Sequence, residues 1–396
     1  MDFLSQVFET GTYWDAASFA LYVAIGGVYA LLINASVQPK GRGGLASAPF
    51  AFGAFLWFFF FLTFRDVTVG SDTSAYVHMF MNSKNVNIDW VDALWFKTYI
   101  EPLYLLLESA VRALTDNYTI FFAVKAVIIS SSLTYFFVTF NDERQSCLPI
   151  MLIAIYFEFT AAIARAALGM SLLLLALCLE RKNRRVLAVV LAVGACYFHN
   201  TLAVMFPLIV VLSFKWDTLR FTKRQLIVRV CFAIVLVNMI AGLLTGVVKE
   251  SKYGYYYGLT TITILSLWNV FALAVILAIN WKGISKTYGD KPGDRIMLLA
   301  FIYELACVPI VMAFGFWRMT TYFLPVRCIV WGIVLREWRQ HPFFGKWYFF
   351  IAFVMMLGFL PPATSTWEEK VSTQASHIRL CSSDAISTDS SRRNEG

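Results

Sequence analysis

Charge is what this chain has least of. Asp, Glu, Lys and Arg together make up 15% of its 396 residues, too few to cover the surface of a soluble domain of that length. An ordinary soluble enzyme is therefore excluded. Histidine is scarcer still: His78, His199, His341 and His377 are scattered, so no histidine-based metal site is expected. The seven cysteines include no CxxC or other ligand spacing. Cys147, Cys178, Cys196, Cys231, Cys307 and Cys328 fall in apolar segments and are expected to be small buried hydrophobes, with only Cys381 in polar sequence. The opening "MDFLSQVFETGTYWD" lacks the basic region of a cleavable signal peptide, so the first apolar segment is expected to stay as a span. No repeat of about 20 to 50 residues is visible, which argues against a repeat-built transporter.

What fills the chain instead is apolar and aromatic sequence, 59% hydrophobic and 17% aromatic. It predicts an all-α, polytopic integral membrane bundle of about 10–12 transmembrane segments, each of roughly 17 to 25 residues. Spans are expected near 16–34, 49–64, 119–140, 147–163, 166–180, 226–247, 260–280, 296–314, 319–335 and 347–360. "PLYLLLESAVRAL" (102–114) is too short and carries Glu108 and Arg112, so it reads as an interfacial or re-entrant helix. The stretch 186–214 is too long for one span and is interrupted by "FHNT". Domain organisation follows: one transmembrane domain over 1–365, with an external loop at 65–101 and the interfacial helix after it, then a disordered polar tail at 366–396.

The formal net charge of +8 is a topological signal rather than a nucleic-acid one, because Lys and Arg collect in cytoplasmic loops. Treating 186–197 and 201–213 as two segments that go out and return puts 18 Lys and Arg in cytoplasmic loops and 7 outside. A single crossing there would export most of the basic loops. The two-segment arrangement brings Arg65, Asp72, Glu101, Arg165, His199, the Tyr253–Tyr257 cluster and Arg318 to the external face.

Arg165, between two apolar segments, is a candidate for gripping phosphate oxygens in bidentate fashion; the alternatives are an interfacial arginine or a partner for Glu158. His199 sits where the chain breaks at membrane depth, suited to general acid/base work or to a bond with a backbone carbonyl. Asp72 is divided between capping a helix and serving as a catalytic carboxylate, while Thr73 reads as the cap. Arg65 is a membrane-edge anchor or a ligand for an anionic headgroup, and Gly70 fits a tight turn. Tyr255 lies in "KYGYYYG", an interfacial or sugar-stacking loop. Arg318 is an anchor or a ligand, with Tyr322 one turn on. Lys125, Arg229 and Arg327 are intramembrane cations; Arg327 is expected to reach the inner interface, and the other two lack an obvious partner.

In order and spacing, "FRDVTVGSDTSAYVHMF", "EPLYLLLESAVRALTDNYTIFFAVKAVI", "FEFTAAIARAALGMSLLLLAL", "RKNRRVLAVVLAVGACYFHNTLAVMFPL" and "RMTTYFLP" resemble the EpsG/Wzy-type polysaccharide polymerases of bacterial envelopes, over about residues 16–335. The family pattern R-x-x-x-x-G-x-D-(T/Y)-x-x-Y falls on Arg65, Gly70, Asp72, Thr73 and Tyr76. Its glutamate-proline pair falls on Glu101 and Pro102, its arginine on Arg165, its F-H-x-(S/T) on Phe198, His199 and Thr201, and its late R-x-x-x-Y on Arg318 and Tyr322. Ala166 departs from the polar residue that often follows the arginine. The resemblance implies a cytoplasmic-membrane glycosyltransferase that polymerises oligosaccharide repeats carried on undecaprenyl diphosphate. It implies no cofactor, and a flippase and a chain-length regulator as further partners. On that reading Asp72, His199 and Arg165 are the catalytic residues, and Arg65, Gly70, Tyr76, Glu101, Arg318, Tyr322 and Tyr255 bind substrate. A flippase, a glycan ligase and a membrane acyltransferase are the alternatives.

Overall fold

The computed structural model describes residues 16–37, 48–65, 72–83, 100–141, 160, 163–213, 268–289, 291–314 and 321–340, with isolated positions 224, 228, 231 and 235. Every element among them is helical. In chain order they are α1 (Ala16–Ser36), α2 (Ala48–Thr63), α3 (Thr73–Asn82), α4 (Pro102–Leu114), α5 (Tyr118–Phe140), α6 (Ala164–Arg181) and α7 (Arg185–Phe198). A 3₁₀ segment (Asn200–Met205) leads into α8 (Phe206–Ser213), followed by α9 (Trp268–Tyr288), α10 (Pro292–Phe314) and α11 (Leu324–Gln340). The fold is all-α, as the composition predicts. Tyr118–Phe140 and Val270–Tyr288 are long and apolar enough to cross a membrane, and Ala48–Thr63 and Arg185–Phe198 are shorter apolar helices. Gly70, Tyr255, Arg318, Arg229, the expected spans at 147–163, 226–247 and 347–360 and the tail at 366–396 lie outside the described residues, apart from Thr160, Ile163 and the isolated positions.

Local chemistry sets the helix ends that matter. Proline at the first position opens α4, where its missing N–H costs nothing. Asn117 caps α5, its side chain accepting from the Thr119 N–H at 2.9 Å. Between α6 and α7, Asn183 takes a left-handed φ of 57°. Its N–H donates to the Glu180 carbonyl at 3.0 Å, and the Arg184 N–H donates to that of Leu179 at 2.9 Å. That pairing closes a Schellman turn and folds α7 back along α6.

The hairpin has a geometric result. Arg165 lies eighteen residues before Asn183 and His199 sixteen after it, so at 1.5 Å per residue they reach about the same level of the bundle. Helix α6 is the central one, buried on nearly every face and in contact with α5, α7, α8 and α10. Ala166, Ala167 and Gly169 along it permit close backbone approach. On its other side α5 packs on α2 and α1 through aromatic rings: Tyr29 lies 5.3 Å from Phe58 and 6.2 Å from Phe137. The Tyr29 hydroxyl meets the Thr134 hydroxyl at 3.2 Å, which gives a buried phenol the partner it needs.

Three expectations change. Thr73 is the first helical residue of α3 rather than its cap; Asp72 occupies the cap position, without a capping side-chain bond. Cys178, Cys196, Cys307 and Cys328 are buried, whereas Cys231 is exposed. Arg327 does not run to an interface: its guanidinium lies 3.1 Å from the Glu304 carboxylate, both nearly inaccessible, between α10 and α11. Pairing inside the bundle meets the cost of the buried cation better than a long reach outward. Glu304→Ala is therefore expected to destabilise the protein by about 3–5 kcal/mol, because it strands Arg327. Thermal unfolding in detergent reads the loss, and Glu304→Leu combined with Arg327→Leu should restore most of it.

Candidate functional site

The ends of several helices meet in one region. Arg65 follows the last turn of α2, Glu101 precedes α4, Lys125 lies two turns into α5, Arg165 opens α6 and His199 closes α7. Their mutual contacts place these residues on one side of the bundle. Tyr76, from the short helix α3, and Tyr104, from α4, pack their rings 5.7 Å apart among them.

Glu101 is the hub. It is 1% exposed, in extended backbone just before Pro102. One carboxylate oxygen accepts from the Arg165 guanidinium at 2.8 Å. The other lies 3.3 Å from His199 Nδ1 and 3.5 Å from the Asn200 backbone N–H, which donates to it. Arg165 also donates to the Tyr76 hydroxyl. Glu158, a partner the sequence offered for Arg165, lies outside the described residues; among the described ones Glu101, sixty-four residues away, pairs with it. His199 has φ −160° and ψ 113°, extended between α7 and the 3₁₀ segment. The chain thus breaks at "FHNT" as expected. Beyond the break, the Thr201 hydroxyl meets the Tyr322 hydroxyl at 2.7 Å, tying the 3₁₀ segment to the start of α11. Asp72 lies one turn before Tyr76, its carbonyl accepting from the Tyr76 N–H at 3.0 Å.

Arg65 is half-buried: its guanidinium carbon lies 4.4 Å from the Phe122 ring centroid, and it donates to the Leu62 carbonyl. Lys125, left without a partner by the sequence, is 2% exposed, with its ammonium 4.2, 4.5 and 5.3 Å from the rings of Phe121, Phe122 and Tyr76. Glu108 is equally buried; desolvation pushes its carboxyl up to about 7 against the pull of Lys125 and Arg165. Lys125, Tyr104 and Glu108 join the site without having been selected for it. For Lys125 the signal was there, a cation inside an apolar run. Tyr104 sits in an apolar stretch and carried no signal.

The arrangement sets a phosphate-suited guanidinium and an imidazole on one carboxylate, with Tyr76 on the guanidinium and Tyr104 packed against Tyr76. A sequence profile of the EpsG family matches residues 50–364. The chain belongs to the EpsG family. Among curated proteins and among solved structures, none matches. As an EpsG-family protein the chain is a membrane protein with a role of the polysaccharide-polymerase kind. In this EpsG-family chain the matched span contains every residue of the Glu101 cluster.

Proposed function

We propose that this protein polymerises oligosaccharide repeat units carried on undecaprenyl diphosphate at the external face of a bacterial cytoplasmic membrane. The observation that carries the reading is the buried Glu101 carboxylate, 2.8 Å from Arg165 and 3.3 Å from His199.

The growing chain on its lipid diphosphate is the donor, and a single lipid-linked repeat is the acceptor. The acceptor hydroxyl oxygen attacks the donor anomeric carbon. The bond from that carbon to the diphosphate oxygen breaks, and undecaprenyl diphosphate leaves with the electron pair. Negative charge grows on the leaving diphosphate, and Arg165 stabilises it electrostatically, fixed in place by Glu101. Arg318 is a further cation for the same group. The hydroxyl proton goes to a base. Two were open in the sequence, Asp72 and His199; the geometry favours His199, since Glu101 beside Nδ1 orients the ring and leaves Nε2 for the proton. At 3.3 Å the carboxylate acts on the ring through its charge, and a hydrogen bond between them would have to form in the substrate complex. Tyr76 and Tyr255 line the glycan path. A flippase and a chain-length regulator are the partners this scheme calls for.

Arg165→Ala in a host lacking its own polymerase tests the reading. Loss of one positioned donor costs on the order of 10²–10³ in rate, so lipid-linked single repeats are expected in place of long chains. Long-chain product at normal protein level would overturn the assignment. Purified protein given only a lipid-linked repeat unit separates the alternatives. A polymerase makes a ladder of products; a flippase, a ligase without its second acceptor and an acyltransferase do not.

A further inference from the structure

Where α2 ends against α5 and the start of α6, a narrow crevice is lined by Arg65, Phe122, Lys125, Thr160 and Ala164. Lys125 is the anomaly in it. Its ammonium is 2% exposed and makes no hydrogen bond. The three rings around it offer cation–π attraction, about 2 kcal/mol each when desolvated, which falls short of what burying an ammonium costs. Glu108 lies within electrostatic reach, yet neither of its carboxylate oxygens is hydrogen-bonded, and no ion pair closes between them. The Tyr104 hydroxyl is likewise buried and without a partner. Arg65 makes matters worse: its cation lies 4.4 Å from the same Phe122 ring that Lys125 approaches at 4.5 Å, so two like charges share one apolar wall. Tyr76 connects this crevice to the Glu101 cluster, its ring toward Lys125 and its hydroxyl to Arg165.

The geometry points to a phosphoryl-anion seat at Arg65 and Lys125, a second cationic site beside the Arg165–Glu101–His199 cluster. A buried ammonium without a hydrogen-bond partner beside a second cation is relieved by an anion with oxygens in several directions, which a phosphate or diphosphate has. The flexible four-carbon stem of lysine lets the ammonium follow that anion into a narrow space. The seat rests on the polymerase reading only for its lipid-borne ligand; the anion chemistry stands on the residues themselves.

The test uses full-length protein in phosphate-free maltoside micelles, with inorganic pyrophosphate and farnesyl diphosphate as probes and calorimetric Kd as the readout. Wild type should bind both. Lys125→Met should weaken each by about tenfold or more, as loss of a charge-assisted bond does, and Lys125→Arg should recover most of it. Lys125→Gln serves if the methionine variant does not purify as a monodisperse species. Farnesyl diphosphate binding well above pyrophosphate assigns the seat to lipid-borne diphosphate; equal binding assigns it to the free anion. Either ordering supports the seat. Unchanged Kd in a folded neutral variant, or no binding by wild type, overturns it. Because binding is read without turnover, a protein that binds through Lys125 but makes no ladder would keep the seat and lose the polymerase reading.

Discussion

Glu101→Ala is expected to remove long-chain product almost completely, by on the order of 10²–10³ in rate, as loss of a positioned electrostatic group does. One carboxylate stands between two functional side chains: one oxygen accepts from Arg165, and the other lies 3.3 Å from His199 Nδ1. Taking it away leaves the guanidinium held by the Tyr76 hydroxyl alone among the contacts described and leaves the imidazole without the carboxylate beside it. It also strands a largely buried arginine, which costs about 3–5 kcal/mol where burial is complete and less here, since Arg165 is 23% exposed. Glu101→Gln separates the two effects. It keeps an acceptor of the same shape but drops the charge, so folding should survive while the ladder shortens. A ladder of wild-type length from the alanine variant, made by protein at wild-type level, would remove Glu101 from the site.

The second large effect belongs to a residue with no functional group. A methyl added at Gly169 would stand 2.8 Å from the Ala195 carbonyl oxygen and 3.3 Å from Phe198 Cβ, and would run into the Leu202 side chain. Backbone cannot step aside as a flexible side chain does, so α7 must shift away from α6. Overpacking of this kind costs about 1–3 kcal/mol, more than the roughly 1 kcal/mol that alanine gains over glycine inside a helix. The displaced segment carries His199 at its end. Gly169→Ala is therefore expected to lower the unfolding temperature and to reduce chain length together. Gly194→Ala is the matched control on the facing helix, where the nearest atom, in the Leu172 side chain, lies at 3.4 Å. It should leave both readouts unchanged or raise stability slightly. Equal behaviour of the two variants would mean that α6 and α7 do not need their close approach.

Helix placement was largely legible, because apolar run length and the breaks between runs depend on local composition. α4, α5 and α6 fall within a few residues of their expected bounds, and the break at His199 follows from two half-length segments around "FHNT". The partners were not legible. Arg165 and Glu101 are sixty-four residues apart, and no periodicity connects them; only the family resemblance set Glu101 apart from other acidic residues. Lys125 looked like a cation without company because its company is aromatic, and phenylalanine in a span is too common to mark anything. Arg327 was assigned to an interface because its distance from a helix end is visible in sequence while Glu304 on another helix is not. Asp72 failed as a side-chain cap for a similar reason: the residue type allows it, but backbone angles of −104° and 2° are not the extended ones from which a cap reaches back.

Phe122 serves its two neighbouring cations as a solvent would. A ring 4.4 Å from one cation and 4.5 Å from another stabilises both without bonding to either. A carboxylate in its place would have to be displaced each time a negatively charged guest arrived, and re-formed each time one departed. A ring face asks for neither exchange. For the anion seat proposed at Arg65 and Lys125, an arriving anion would meet a lysine already stripped of water, and a departing one would leave no broken ion pair behind, so release would depend on the guest's own hydration rather than on counter-ion exchange within the protein.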